Sequence, residues 1–258
     1  RDRFITNIDR FTGSSVAQIG HNAKGINNKR QIKIALGCLQ ENDLPIFHKV
    51  YCGNTTDITL FGSAISELMK RYHQIKKTTG RELILVFDKG NVSEDNIKEI
   101  EDDVYFISSL VPCYHMALLK IKESEYKNKY KDLKVYECKK EIFGKERKIV
   151  ITYNEKLKKR QEKIFNEKIN KIKNEVREIY ERNKNRKDVE EMIEKKLEEE
   201  YILKSKAKRY IKYEISGGRI SLTREKKECR KKRLSFGKVL LFTSKMDLGY
   251  EEVIKNYK

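Results

Sequence analysis

One aspartate stands directly after a predicted strand, a position where α/β proteins often place metal-ion and phosphate chemistry. Asp88 follows the apolar run of residues 83–87 and precedes Lys89 and Gly90. Ligands in open α/β sheets bind beyond the carboxyl ends of the strands, and a carboxylate there can hold a divalent cation against a phosphate. An aspartate before a glycine is also a common turn residue, so the local pattern leaves both roles open.

A second candidate site is a basic run in the C-terminal half of the chain. Its cations are Lys226, Lys227, Arg230, Lys231, Lys232 and Arg233. Lysine and arginine contact the phosphates of DNA and so position it without reading its base sequence. The run is therefore a candidate DNA contact, and a solvated surface loop is the alternative.

The cysteines and histidines form no recognisable metal or disulfide pattern. The five cysteines are widely spaced without a Cys-x-x-Cys pair, and the four histidines are equally scattered. Because a zinc site needs clustered ligands, we expect free thiols in a reducing cytosol.

The elements that would position Asp88 alternate between strands and helices. Strands are predicted over residues 31–40, 44–51, 82–87 and 104–110. Helices are predicted after Gly53-Asn54, capped by Thr56 or Asp57, and after Ser93. The five consecutive apolar residues 83–87 within this segment predict a strand covered on both faces, as in the centre of a sheet. The order β-β-α-β-α-β matches the central part of an RNase H-like fold.

The second half of the chain has a different pattern. A hairpin is predicted over residues 133–153, with its turn at Phe143-Gly144, and a second one pairs residues 209–215 with 219–223. Between them, apolar residues at helical spacing predict two helices that form a hairpin within residues 155–206. A strand over residues 238–243 then leads into a helix near Tyr250.

The net charge of +19 is concentrated in the second half of the chain. Residues 1–116 carry 15 Lys/Arg and 14 Asp/Glu, whereas residues 117–258 carry 43 and 25. This asymmetry indicates a polyanionic partner, with DNA as the leading candidate, although AT-rich coding also enriches lysine. No apolar run reaches 18 residues, so we expect no membrane contact.

Several segments together resemble the DDE transposases of bacterial and archaeal insertion sequences, in the branch with a large insertion before the catalytic glutamate. They are residues 16–21 with Lys24 and Gly25, 30–36, 44–48, 50–57, 85–96 and 106–110. The resemblance covers residues 8–116 closely and residues 238–258 more loosely. It rests on the order and spacing of the segments rather than on any one of them.

The resemblance implies an RNase H-like core in which two aspartates and one glutamate hold two Mg²⁺ ions. The ions activate water, and then a DNA 3′-hydroxyl, for in-line attack on phosphodiesters. Asp88 matches the second aspartate, which makes it the expected catalytic residue and metal ligand. Tyr257 matches the tyrosine of the family's tyrosine–arginine–glutamate–lysine signature.

The other two carboxylates are not found in this chain. The preferred register places the first aspartate just upstream of Arg1, with Asp9 in a downstream, non-catalytic position. The alternative register puts Phe4 near that place, and Asp2 is a remote substitute. The glutamate is expected beyond Lys258, since both glutamates at positions 251 and 252 come too early. We therefore expect a chain of these 258 residues not to cleave or join DNA.

The expected fold class is α/β: an RNase H-like mixed sheet with an inserted α+β region that contains the long helical hairpin. Residues 1–116 would be the N-terminal part of the core, residues 117–237 the basic insertion, and residues 238–258 the return to the core. The resemblance further implies transposon-end and target DNA as partners, a homodimer, and the cytoplasm of a prokaryote.

Two other functions fit the same residues. A non-enzymatic nucleic-acid-binding or scaffolding protein derived from a transposase would explain the lysine-rich half and the helical hairpin. A nuclease on the same fold would cleave DNA without transferring strands.

Overall fold

A computed structural model describes residues 15–20, 29–40, 43–80 and 82–258, except for the side chains of residues 57, 58 and 79. The protein is mixed α/β, with parallel and antiparallel strand pairs and, over these residues, seven α-helices. The strands are β1 (Gln18–Ile19), β2 (Arg30–Cys38), β3 (Pro45–Cys52), β4 (Ile84–Val86), β5 (Tyr105–Ser109), β6 (Asn128–Tyr130), β7 (Leu133–Ile142), β8 (Lys145–Tyr153), β9 (Tyr201–Ile202), β10 (Ser205–Lys206), β11 (Ile211–Ser216), β12 (Arg219–Arg224) and β13 (Lys238–Thr243). The helices are α1 (Asp57–Thr79), α2 (Glu94–Ile100), α3 (Met116–Leu119), α4 (Glu155–Asn183), α5 (Val189–Glu199), α6 (Lys226–Arg233) and α7 (Tyr250–Tyr257).

Asp2 and Phe4, the two positions of this chain considered for the first aspartate of the resemblance, lie outside the described residues, as does Asp9, which was predicted to be non-catalytic. The matching segment that includes His21, Lys24 and Gly25 also lies partly outside them.

The predicted hairpin near the start of the chain is confirmed. Strands β2 and β3 are antiparallel, with Ile34 opposite Val50, and β1 pairs with the other edge of β2. Helix α1 then begins after Thr56, whose side chain accepts a hydrogen bond from the backbone N–H of Thr59. The helix ends at Gly80, whose φ of 67° lies in the left-handed region that glycine adopts without strain.

A six-stranded mixed sheet carries the strand that precedes Asp88, and its order is β4-β5-β13-β8-β7-β6. The prediction that residues 82–87 form a central strand covered on both faces is wrong for the described residues. Strand β4 has three residues and is the outermost strand of the sheet, and Val86 is 36% exposed. The buried residue of this apolar run is the last one, Phe87, whose ring packs against Phe61 and Phe106.

Both hairpins predicted in the second half of the chain are present. Strands β7 and β8 are joined by Phe143 and Gly144, with φ values of 52° and 77°. Strands β11 and β12 pair around Gly217 and Gly218, which also have positive φ. Two central residues with positive φ match the right-handed twist of the flanking strands, so these turns specify the register.

The chain divides into two compact units. The first contains residues up to 111, 137–150 and 240–258, and the second contains residues 112–136 and 151–239. The outer part of the β7–β8 hairpin therefore groups with the first unit, whereas the sequence analysis assigned it to the insertion. None of the helices in the described ranges is both long enough and apolar enough to cross a bilayer.

The second unit is built on the apolar stripe of α4. Its buried residues are Phe165, Ile169, Ile172, Val176 and Tyr180. They share one hydrophobic core with Ile193 and Leu197 of α5 and with residues of β11 and β12. Ile179 is only partly buried, and Tyr180 takes the buried position beside it.

Candidate functional site

The backbone that leads into Asp88 is fixed by the neighbouring strand β5. The N–H of Phe87 donates to the carbonyl oxygen of Ile107 at 3.2 Å, which extends the parallel β4–β5 pairing by one residue. The hydroxyl of Ser108 donates to the carbonyl oxygen of Phe87 at 2.6 Å. Because the Phe87 ring is also buried, Asp88 is held at a defined place at the end of the strand.

The carboxylate of Asp88 does not serve the turn that follows it. The Asp88 carbonyl oxygen accepts the turn hydrogen bond from the Asn91 N–H at 3.0 Å, but the side chain makes no capping bond to residues 89–91. Instead, the hydroxyl of Tyr257 donates to Asp88 Oδ1 at 3.2 Å. The side chain is thus aimed across the first unit at the end of helix α7, although a simple turn aspartate would bond locally.

Tyr257 links Asp88 to a third residue, the buried Ser109 at the end of β5. The oxygens of the Ser109 and Tyr257 hydroxyls lie 2.7 Å apart. If the Ser109 hydroxyl donates to the Tyr257 oxygen and the Tyr257 hydroxyl donates to Asp88, each hydroxyl proton makes one hydrogen bond. Burial raises the pKa of the Tyr257 phenol, the Ser109 hydrogen bond opposes this, and the negative charge of Asp88 raises the pKa further.

Helix α7 is held so that its last residue reaches this place. Val253 and Ile254 are buried on its inner face, and the Glu252 carboxylate accepts the Gly249 N–H at 3.1 Å to close the first turn. Glu252 is therefore a capping residue, in keeping with its exclusion as the catalytic glutamate. At the other end, the Gln40 amide donates to the Asn256 carbonyl oxygen at 3.2 Å, one of the carbonyls that a helix end leaves without an intrahelical partner.

The residues around Asp88 fit one ligand of a Mg²⁺ ion but not a two-ion site. Asp88 is exposed, and Mg²⁺ is commonly bound through one or two carboxylates, with water completing its octahedron. In the described ranges, no three or more His, Cys, Asp or Glu side chains are grouped so that they could hold a metal ion. These residues do not by themselves form the pair of metal positions that the resemblance implies.

The predicted basic run forms a short helix, α6, rather than a loop. Its one buried residue is Cys229. Lys226, Lys227 and Arg230 are exposed, as is Lys231, which pairs with Glu228 at 2.6 Å. The whole run therefore lies in the second unit, and at least three of its cations face solvent.

Two members of the run are turned into the second unit. The Lys232 ammonium donates to the carbonyl oxygen of Leu203 at 2.8 Å. The Arg233 guanidinium donates to Asn166 Oδ1 at 3.2 Å and lies over the Phe165 ring. That Lys232 and Arg233 contact DNA phosphates remains a prediction, and both side chains also make contacts within the second unit.

Several residues of these sites were not predicted to act in them. Ser109 and Gln40 give no local signal, because their partners lie 148 and 216 residues away in the chain. Arg224, Asn166 and Asn170 also had no predicted role; Asn166 bonds both Arg224 and Arg233, and Asn170 bonds Arg224. A serine pair inside the apolar strand 104–110 was the one visible sign that β5 carries polar chemistry.

Comparison of the chain with models of known families, with curated proteins and with solved structures finds no match.

Proposed function

We propose that this chain is the catalytic-core region of a DDE-type transposase with an RNase H-like fold and an inserted helical hairpin, and that Asp88 is one of its Mg²⁺ ligands. The supporting observation is the contact of Asp88 with Tyr257, which are 169 residues apart in the chain and 3.2 Å apart in space. In the resemblance these are the second metal-binding aspartate and the tyrosine of the glutamate-bearing helix. Two distant segments that each resemble a part of the same family's active site are thus neighbours in the first unit.

Within the proposal, each residue of the Asp88 cluster, which consists of Asp88, Ser109 and Tyr257, has a definable task. Tyr257 donates to Oδ1 of Asp88 and so orients the carboxylate, which leaves Oδ2 for a cation. Ser109 and the anchored backbone of Phe87 hold these two groups in place. A bound Mg²⁺ would supply the activation of water or of a 3′-hydroxyl and the neutralisation of phosphate charge.

The genomic DNA on both sides of the coding sequence tests this proposal directly. We expect terminal inverted repeats, a Tyr-Asp codon pair shortly before the codon for Arg1 and a glutamate codon a few positions after that for Lys258. Flanks that contain neither the repeats nor these codons would overturn the proposal.

A cleavage assay tests the role of Asp88 itself. The protein expressed with the flanking residues is expected to nick labelled terminal-repeat DNA in Mg²⁺ and to join it to a target duplex. Asp88→Asn should reduce both reactions to background. The matched control is Asp95→Asn, which removes an exposed carboxylate from the first turn of α2 and should leave both reactions intact.

The second candidate is a non-enzymatic nucleic-acid-binding or scaffolding protein. It is favoured by the basic second half and by the single carboxylate that the described residues bring to the Asp88 cluster. It predicts DNA binding without inverted repeats or flanking carboxylate codons. Nicking without joining in the assay above would instead indicate a nuclease.

A further inference from the structure

Two arginines of the second unit share one asparagine. Arg224 donates through Nη1 to Asn166 Oδ1 at 2.9 Å and through Nη2 to Asn170 Oδ1 at 2.8 Å. Arg233 donates through Nη2 to the same Asn166 oxygen at 3.2 Å. Two guanidinium groups are therefore held side by side on the surface of α4.

The partners of these arginines orient them without cancelling their charge. Elsewhere in the second unit, Arg209 is paired with Glu228 and Arg186 with Asp188, so those charges are neutralised locally. An asparagine oxygen accepts the same hydrogen bonds but carries no net charge. A guanidinium has five N–H donors, and the asparagine bonds use two of Arg224 and one of Arg233.

The positive surface continues along α4. Asn166, Asn170, Lys173 and Arg177 follow one another at spacings of four, three and four, which places them on one face of the helix. Burial lowers the pKa of Lys173, and the charges of Arg177 and Arg224 lower it further. Those two arginines are thus close enough to repel the Lys173 ammonium.

At its far end the surface opens into a cavity of about 470 Å³ beside the β11–β12 hairpin. Its polar lining residues are Arg177, Glu214, Ser216, Arg219 and Ser221. Glu214 is a carboxylate on this surface, and Glu225 follows Arg224 in the chain. The cations of this surface are Lys173, Arg177, Arg219, Arg224 and Arg233, and Glu162 and Glu181 lie one helical turn beyond its two ends on α4.

We propose that these five cations, called the arginine stripe below, bind backbone phosphates of duplex DNA. Residues 166–177 of α4 span about 16 Å at 1.5 Å per residue, which is the axial rise of about five base pairs, so the stripe is long enough to contact more than one phosphate. A free phosphate ion would use only one arginine pair. The identity of the DNA as a substrate rests on the function proposed above, whereas binding to the stripe does not.

Salt-dependent binding of a mixed-sequence duplex oligonucleotide to the 258-residue chain tests the stripe. Arg224→Gln is expected to weaken binding and to reduce the slope of log K against log salt by about 0.9, which is one phosphate contact. The control, Arg186→Gln, removes the same charge from an arginine that is paired with Asp188, and the slope should not change.

Asn166→Asp separates a binding role from a structural one. The aspartate keeps an acceptor for both arginines but adds a negative charge between them. Thermal stability should therefore be kept or raised while the affinity for the duplex falls. This variant keeps the test decisive if Arg224→Gln fails to fold.

Wild-type affinity and salt slope in a folded Asn166→Asp variant would overturn the stripe. Its failure and that of the transposase proposal are distinguishable. If the variants bind DNA more weakly but the genomic flanks contain no inverted repeats, the stripe is supported and the transposase proposal is refuted. If the variants bind like the wild type and the flanks contain the repeats, the stripe is refuted and the transposase proposal is supported.

Discussion

The Asp88 carboxylate could serve the turn that follows it or a residue brought near by the fold. Its extended backbone, with φ of −77° and ψ of 156°, places the side chain at the head of the short turn over residues 89–91. The carboxylate nevertheless accepts from Tyr257, a residue half-buried beside Ser109. The strand-end position of Asp88 was predictable from the apolar run before it, but its partners were not, because they come from distant parts of the chain.

The contact between Tyr257 and Asp88 can be measured through the pKa of the Tyr257 phenol. Because Asp88 contributes to the raised pKa of Tyr257, Asp88→Asn is expected to lower that pKa. A ¹³C-tyrosine NMR titration measures it, with the Tyr257 resonance assigned by its loss in Tyr257→Phe. Asp95→Asn should leave the pKa unchanged, and an unchanged pKa in Asp88→Asn would refute the contact.

The same shift has a consequence for stability at high pH. Folding favours the neutral phenol, so the folded-state pKa of Tyr257 lies above the unfolded value of about 10. Its contribution to stability is complete below pH about 10 and is lost as the pH rises through the folded-state pKa. Tyr257→Phe should therefore lose less free energy of unfolding than the wild type between neutral pH and pH about 11, as measured by urea unfolding. An equal loss in both proteins would contradict this.

At the scale of elements, local rules predicted most of the structure where a cap or a turn is specified by a few residues. Thr56 and Ser93, both predicted, accept backbone hydrogen bonds at the starts of α1 and α2, and Asn154, which was not predicted, does so at the start of α4. The prediction for residues 82–87 failed because an apolar run does not say which neighbour covers it. Helix α6 was missed as a helix because its strongly basic composition hides the single buried position, Cys229.

The core of the second unit depends on the apolar stripe of α4. Ile169 is fully buried, so Ile169→Ala is expected to cost about 2–5 kcal/mol through lost burial and a residual cavity. The exposed neighbour Lys168 provides the control, since Lys168→Ala should change stability by no more than about 0.5 kcal/mol. Urea unfolding followed by far-UV circular dichroism measures both. A loss for Ile169→Ala no larger than for the control would refute this packing.

A buried ion pair joins β8 to the end of α2 in the first unit. Arg147 bonds Glu101, both side chains are less than 8% exposed, and the guanidinium lies over the Phe106 ring at 5.3 Å. Arg147→Ala removes one of two cations that pair with the buried Glu101 carboxylate, the other being Lys145 at 2.9 Å, and is expected to cost about 2–3 kcal/mol. Lys139→Ala, which breaks the exposed pair with Glu146, should cost at most about 1 kcal/mol. Equal unfolding midpoints for the two variants would contradict the role given to Arg147.

At the scale of the whole molecule, the charge asymmetry predicts that a polyanion would bind the second half of the chain, but it does not predict which residues would hold it. The run at residues 226–233 was visible because its cations are consecutive. The arginine stripe was not visible, since Lys173, Arg219 and Arg224 are separated in the chain and become neighbours only when β12 packs on α4. The resemblance to transposases likewise predicted Asp88 and Tyr257 separately, whereas their contact required the fold.

The central proposal is that Asp88 is a metal ligand, and Mn²⁺ titration of the 258-residue chain tests it by NMR. Mn²⁺, like Mg²⁺, prefers oxygen ligands, and it broadens nearby resonances even when it binds weakly. The signals of Ser109 and Tyr257 are expected to broaden in the wild type and in Asp95→Asn, and to stay sharp in Asp88→Asn. Equal broadening of Tyr257 in Asp88→Asn, or none in the wild type, would contradict the proposed site.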